Sequence, residues 1–181
     1  MPGDSKDWTW VLERRCPECR FDVHSFSRTE VGSLLRQVTN TWAELLVGDP
    51  GELRRRPSPE VWSPLEYAAH VRDVLALYSA RLEMMMTEDG PHYPDWDQDA
   101  TAVEKRYDQS DPGEISEELS TNGATLAEQF DAVPPIGWER TGFRSDGTAF
   151  TIESFARYLL HDPVHHLHDV GVTFAPDSGL T

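Results

Sequence analysis

Apolar residues recur at three- and four-residue intervals in four stretches of the chain, and segments rich in Gly, Pro and Asp separate them. The first stretch opens at Ser27-Arg28-Thr29-Glu30. That spacing suits a capping box, in which the serine side chain satisfies a free N–H of the first turn while the glutamate reaches back. The predicted helix runs to about Val47, where Gly48, Asp49, Pro50 and Gly51 stop it. The second opens at Ser63-Pro64-Leu65-Glu66, with proline at the first helical position, where its missing N–H costs nothing. Tyr67, Val71, Val74, Leu75, Tyr78, Leu82 and Met85 then form an apolar stripe with His70 at its edge. Beyond a loop from Asp89 to Asp99 and a weakly periodic segment, Asp111-Pro112-Gly113-Glu114 starts a third helix that ends before Pro134-Pro135. Residues 136–150 mix β-formers with the turn signal Ser145-Asp146-Gly147 and predict a short hairpin or extended loop. Thr151 caps the last helix, whose stripe is Ile152, Phe155, Ala156, Leu159 and Leu160. Four amphipathic helices with short connections predict an all-α, up-and-down four-helix bundle. The expected division is an N-terminal arm (1–26), the bundle (27–173) and a tail (174–181).

At 181 residues, with 38% hydrophobic and 27% charged residues, the chain suits one globular domain. No apolar run approaches the roughly 20 residues needed to cross a bilayer. The start also lacks the basic-then-apolar pattern of a secretion signal, so a cytoplasmic, membrane-free protein is expected. A net charge of -16 argues against nucleic acid as a partner, because phosphate contacts need Lys or Arg to displace counterions. The one basic cluster, Arg54-Arg55-Arg56, reads as a solvated loop.

Candidate chemistry concentrates in His161-Asp162-Pro163-Val164-His165-His166-Leu167-His168-Asp169, which holds four of the seven histidines. On a helix His161, His165 and His168 share a face, and imidazoles at i and i+4 can reach one ion. A third ligand must come from elsewhere, and His70 is the candidate. Three protein ligands plus an open position describe a catalytic rather than a structural site. The neighbouring face, with Asp162, His166 and Asp169 at i, i+4 and i+7, fits the spacing too, and its carboxylates could instead orient the ligand rings. Cys16 and Cys19 form half of a thiolate zinc site for which His24 is the only near additional ligand. Reduced, unliganded thiols and transient disulfide chemistry are the alternatives. Arg140 and Arg144 could present guanidinium forks to a carboxylate, with Trp138 and Tyr67 as pocket walls.

Two segments carry a family resemblance: Trp62 to Asp73 (WSPLEYAAHVRD) and Tyr158 to Val170 (YLLHDPVHHLHDV). In them the chain resembles the DinB/YfiT-like superfamily, which includes the mycothiol-dependent maleylpyruvate isomerases, over about residues 28–172. The resemblance implies a four-helix bundle with a divalent metal on one histidine of the second helix and an x3-spaced pair of the last. Position by position these are His70, His161 and His165. Zinc is the first choice of metal, with nickel or iron as alternatives. The resemblance further implies a low-molecular-weight thiol such as mycothiol or bacillithiol as cosubstrate, a small electrophile as its acceptor, and a homodimer. The leading expectation is therefore a metal-dependent S-transferase or isomerase. A non-enzymatic metal or thiol/redox sensor or interaction protein, and a metal-dependent hydrolase, are the competing ones.

Overall fold

The computed structural model describes residues 8–176. Four long helices form the bundle expected from the sequence: α1 (Val31–Leu45), α3 (Pro64–Thr87), α5 (Pro112–Asp131) and α6 (Ile152–Asp169). Two short ones, α2 (Pro50–Leu53) and α4 (Gln98–Glu104), lie in the connections. The latter is the weakly periodic segment, made helical by an Asp97 carboxylate that accepts from the Ala100 N–H at 2.9 Å. The capping grammar holds at both helices that matter most for the histidines. Ser63 and Glu66 satisfy each other's backbone N–H at the start of α3, and Thr151 and Ser154 do so at α6. At Ser27 the same device opens a single 3₁₀ turn that leads into α1.

The most extensive packing joins α1 to α5 and α5 to α3, while α6 packs on both α1 and α3. Neighbours around the bundle are thus α1, α5, α3 and α6 in turn. The segments α1–α3 and α5–α6 cross the ends of the bundle rather than closing simple hairpins. Gly123 permits the close approach of α5, because a side chain there would collide with Thr39 of α1. Leu34, Leu35, Leu65, Leu75, Leu119, Leu126, Leu159 and Leu167 fill the interior. Trp42 is wholly buried, and its indole N–H donates to the Pro163 carbonyl at 3.1 Å. This ties α1 to α6 beside the histidine cluster.

The hairpin expected between residues 136 and 150 is present as β1 (Thr141–Phe143) and β2 (Ala149–Thr151), paired antiparallel with Gly142 opposite Phe150. No helix among the described residues is long and apolar enough to cross a membrane. Of the arm and tail, residues 1–7 and 177–181 lie outside the described residues. The described part of the arm packs a 3₁₀ turn, Thr9–Leu12, against α6. The Arg54–Arg56 segment is more engaged than a solvated loop. Arg56 forks onto the buried Glu66 carboxylate, and Arg54 donates to the Ser110 carbonyl at 2.8 Å.

One polar network braces α3 from outside. The Asp73 carboxylate, 9% exposed, accepts from the Tyr107 hydroxyl at 2.5 Å and from Arg72 and Lys105 at 2.9 Å each. Burial works to raise the Asp73 pKa, but these three donors outweigh it and hold it below the ordinary carboxylate value. A carboxylate with a depressed folded pKa stabilises the protein above its unfolded pKa, near 4, and loses that contribution as pH falls through the lower folded value. Asp73→Asn is therefore expected to cost about 2 kcal/mol at neutral pH. It should also flatten the acid fall of Tm below about pH 4, as followed by circular-dichroism melts. Equal acid limbs in the two proteins would refute this role.

Candidate functional site

The α-helix advances about 100° per residue, so adjacent positions on α6 look in different directions. His161 and His165 face the N-terminal arm, while Asp162 and His166 face α3. The potential ligand atoms accordingly fall into two groups among the described residues. One is His70, Asp162 and His166; the other is Cys16, Cys19, His161 and His165. Within each group the atoms lie within 4.8 Å of one another. The expected convergence of His70 with His161 and His165 does not occur as one such group. His70 meets the alternative face, one residue further round the helix.

In the first group, His70 Nε2 lies 3.7 Å from Asp162 Oδ2, and His166 Nε2 lies 3.7 Å from Asp162 Oδ1. His70 is 1% exposed, and neither ring nitrogen has a hydrogen-bond partner. Aromatic rings fix its orientation: Trp96 stacks on it at 5.4 Å, and Trp62 packs at an angle, also at 5.4 Å. The His166 ring sits edge-on at 5.0 Å, itself backed by Tyr67 at 4.9 Å. His166 Nδ1 lies 2.9 Å from Asp169 Oδ2. An ionised carboxylate can only accept, so in the neutral ring Nδ1 carries the proton and Nε2 presents its lone pair towards Asp162. Asp162 is partly buried. Burial would raise its pKa, but His166 and then His70 outweigh this and hold it at about 2.

In the second group, Cys16 is 1%, His161 4% and His165 6% exposed. Cys16 Sγ lies 3.6 Å from His165 Nδ1, and His161 Nε2 is buried with no partner. The other nitrogen of His165 faces Glu18 Oε2 at 3.4 Å and Asp169 Oδ1 at 3.7 Å. Burial first, then His165, pushes the His161 pKa down to about 4, and burial lowers His165 as well. Burial pushes the Cys19 thiol up to about 12, against a backbone hydrogen bond from Phe21. Both cysteines are free thiols.

A cleft of about 190 Å³ opens beside these groups. Trp8, Gln98, Arg144, Tyr158, His161, Asp162, His165 and His166 line it. Arg144 is among these lining residues, with Asp146 Oδ2 2.5 Å from its Nη2. Arg140 is not. It donates to the Met85 and Glu88 carbonyls at 2.5 Å each and caps the C-terminal end of α3, where helix carbonyls lack partners. Trp138 is buried against Phe130, away from the cleft lining. Tyr67 backs His166 rather than lining the cleft. His168 is exposed and joins neither group. His24 is exposed too, and its Nε2 pairs with the Leu12 carbonyl at 2.9 Å instead of completing a site with the cysteines. Trp96 and Tyr158 belong to the aromatic residues that read from the sequence as core or pocket wall, whereas Trp8, Glu18 and Gln98 were not anticipated at the site.

No protein of curated function matches the sequence significantly. Among solved structures, YfiT from Bacillus subtilis, described as a probable metal-dependent hydrolase with an unusual four-helix bundle topology, is similar at a TM-score of 0.71. The two share 17% identity over 82% of this chain and 88% of that one. A mycothiol-dependent maleylpyruvate isomerase is similar at a TM-score of 0.67 and 16% identity, over 83% of this chain and 63% of that longer one. These likenesses fix the fold. The family model of the DinB superfamily matches residues 18–170, and the chain belongs to that superfamily.

Proposed function

We propose that the protein is a metal-dependent enzyme that binds a divalent cation through His70, Asp162 and His166. In this reading it uses the adjoining cleft to bring a low-molecular-weight thiol to a small, carboxylate-bearing electrophile. The observation that carries the reading is the state of His70. A buried imidazole with both nitrogens unpartnered, facing a carboxylate held ionised, is costly to leave unsatisfied, and a cation relieves that cost. The donor set fits a borderline divalent ion: two neutral imidazoles and one carboxylate, with a further carboxylate behind the second ring.

A cation bound there supplies Lewis acidity, which lowers the pKa of a thiol or water that meets it. The protein's own groups do the rest. Asp169 holds the His166 ring by its Nδ1 proton, and the stack of Trp62 and Trp96 prevents His70 from turning away. Arg144 presents a guanidinium that can take a substrate carboxylate while Asp146 steadies it. Trp8 and Tyr158 provide walls that displace water from the thiol's approach. The solved neighbours described as metal-dependent and mycothiol-dependent support this class of chemistry without specifying the reaction.

Elemental mass spectrometry on protein purified without a histidine tag tests the ligand set. His70→Ala and His166→Ala should each lose about one equivalent of metal relative to the parent, whereas His168→Ala should lose none. Full retention in His70→Ala would overturn the assignment.

Thiol consumption with a panel of mycothiol, bacillithiol and glutathione against small electrophiles then tests the reaction. Arg144→Ala should raise KM for carboxylate-bearing acceptors about tenfold, equivalent to about 1.4 kcal/mol, with metal content unchanged. Turnover of esters or amides with no thiol requirement would replace this reading with hydrolysis. Stoichiometric metal without any turnover across both panels would replace it with a binding role.

A further inference from the structure

The second donor cluster lies on the face of α6 adjacent to the one that His70 meets, and it has a different chemistry. It joins two sulfurs from the N-terminal arm to two imidazoles one helical turn apart. We propose that Cys16, Cys19, His161 and His165 form a second, four-coordinate zinc site that fastens the arm to α6, separate from the cation held by His70, Asp162 and His166. Two thiolates and two imidazoles are a donor set that tetrahedral zinc takes in closed, structural sites. The Cys-x2-Cys spacing brings both sulfurs to one side of a tight loop, as i and i+4 brings both rings to one side of the helix.

Three independent features of the loop and the rings point the same way. First, Arg20, directly after the second cysteine, is held at φ 62°, a left-handed conformation that a residue with a Cβ rarely adopts. That turn, closed by the Cys16 N–H donating to the Phe21 carbonyl at 3.0 Å, folds the loop back so that Cys19 approaches the rings. Second, His161 Nε2 is buried with no partner, and Cys16, His161 and His165 of the cluster are buried while Cys19 is partly so. Third, the two nitrogens of His165 divide their work: Nδ1 faces Cys16 Sγ, while Nε2 faces the Glu18 and Asp169 carboxylates. A ligand imidazole held from behind by a carboxylate is the usual way in which a protein fixes the ring and its tautomer.

The site has a consequence for the cleft. Trp8, at the start of the same arm, packs on His161 at 5.4 Å and on His165 at 4.8 Å and forms one wall of the cleft. Zinc at the Cys2His2 site therefore sets the position of that wall. Binding releases the two thiol protons to solvent, and no electron transfer is involved.

Cobalt substitution gives a test that does not depend on activity. Apo-protein of the full chain, titrated with Co(II), should show a sulfur-to-cobalt charge-transfer band in the near ultraviolet. Zinc should then bleach that band stoichiometrically. Cys16→Ser and Cys19→Ser should lose the band and about one equivalent of zinc while keeping the metal that depends on His70. His70→Ala should keep the band and lose the other equivalent. If the cysteine variants fail to fold, alkylation of the parent by iodoacetamide decides: both thiols should be protected with zinc bound and become reactive after a chelator removes it. Absence of the band, full zinc retention in the cysteine variants, or thiols equally reactive with and without zinc would overturn the proposal. Loss of the band in His70→Ala would overturn it too, by showing a single centre shared among His70, His161 and His165. Failure of the His70 site alone would leave the band intact, so the two assignments fail independently.

Discussion

Everything distinctive in this molecule depends on how a single helix turns. Between His161 and His166, α6 presents three histidines and an aspartate on two adjacent faces, and both faces are largely withdrawn from water. Buried imidazole nitrogens need partners, since each unsatisfied polar group costs on the order of 1–3 kcal/mol. The bundle answers this demand from two directions. The helix α3 brings His70 to one face, and the N-terminal arm brings Cys16 and Cys19 to the other. Neither face is completed by protein–protein hydrogen bonds, because His70 Nδ1 and Nε2 and His161 Nε2 remain without partners. The cation binding proposed for each face would satisfy lone pairs of this kind.

The rest of the structure keeps that helix fixed. Trp42 reaches from α1 to the carbonyl of Pro163, in the middle of the histidine run, and capping boxes fix where α3 and α6 begin. At the far end of α3, Arg140 satisfies the Met85 and Glu88 carbonyls. The Asp73 network with Tyr107, Lys105 and Arg72 lies one turn beyond His70 and ties α3 to the connection that precedes α5. Rotation of α3 by even a fraction of a turn would take His70 out of reach of Asp162, so these remote contacts act on the site through geometry.

Much of this was legible in the sequence, because it is local. Ser63-Pro64-Leu65-Glu66 and Thr151-Ile152-Glu153-Ser154 mark helix starts through contacts a few residues long, and the apolar stripes define which faces are buried. The histidine run marked candidate ligands for the same reason. Which of its two faces His70 meets was not legible, since i, i+4 spacing is satisfied equally by His161 with His165 and by Asp162 with His166. The choice rests on the rotation of α6 against α3, a property of long-range packing. The same limit explains Cys16 and Cys19. Their partners lie nearly 150 residues away in sequence, whereas His24, the near candidate, is drawn off by the Leu12 carbonyl. Arg140 looked like a substrate fork because an unpaired helix end cannot be seen until the helix it caps is placed.

The division of labour between the two faces also explains why an acidic chain should crowd histidines together. With a net charge of -16, the protein's field favours cations over anions at its clefts. Glu18, Asp162 and Asp169 bring that field to the imidazoles at close range. Arg144 is the exception, a cation placed on the cleft wall beside carboxylates and steadied by Asp146. Near groups proposed to bind a cation, such a guanidinium is of little use for metal affinity and works against it. Its place there makes sense when the second ligand of the cleft is an anion that must lie beside the metal. On the proposed reading, recognition of a carboxylate and retention of a divalent cation would be two requirements met by neighbouring residues of one cleft, with Asp162 and His166 on α6 and Arg144 in the connection between β1 and β2.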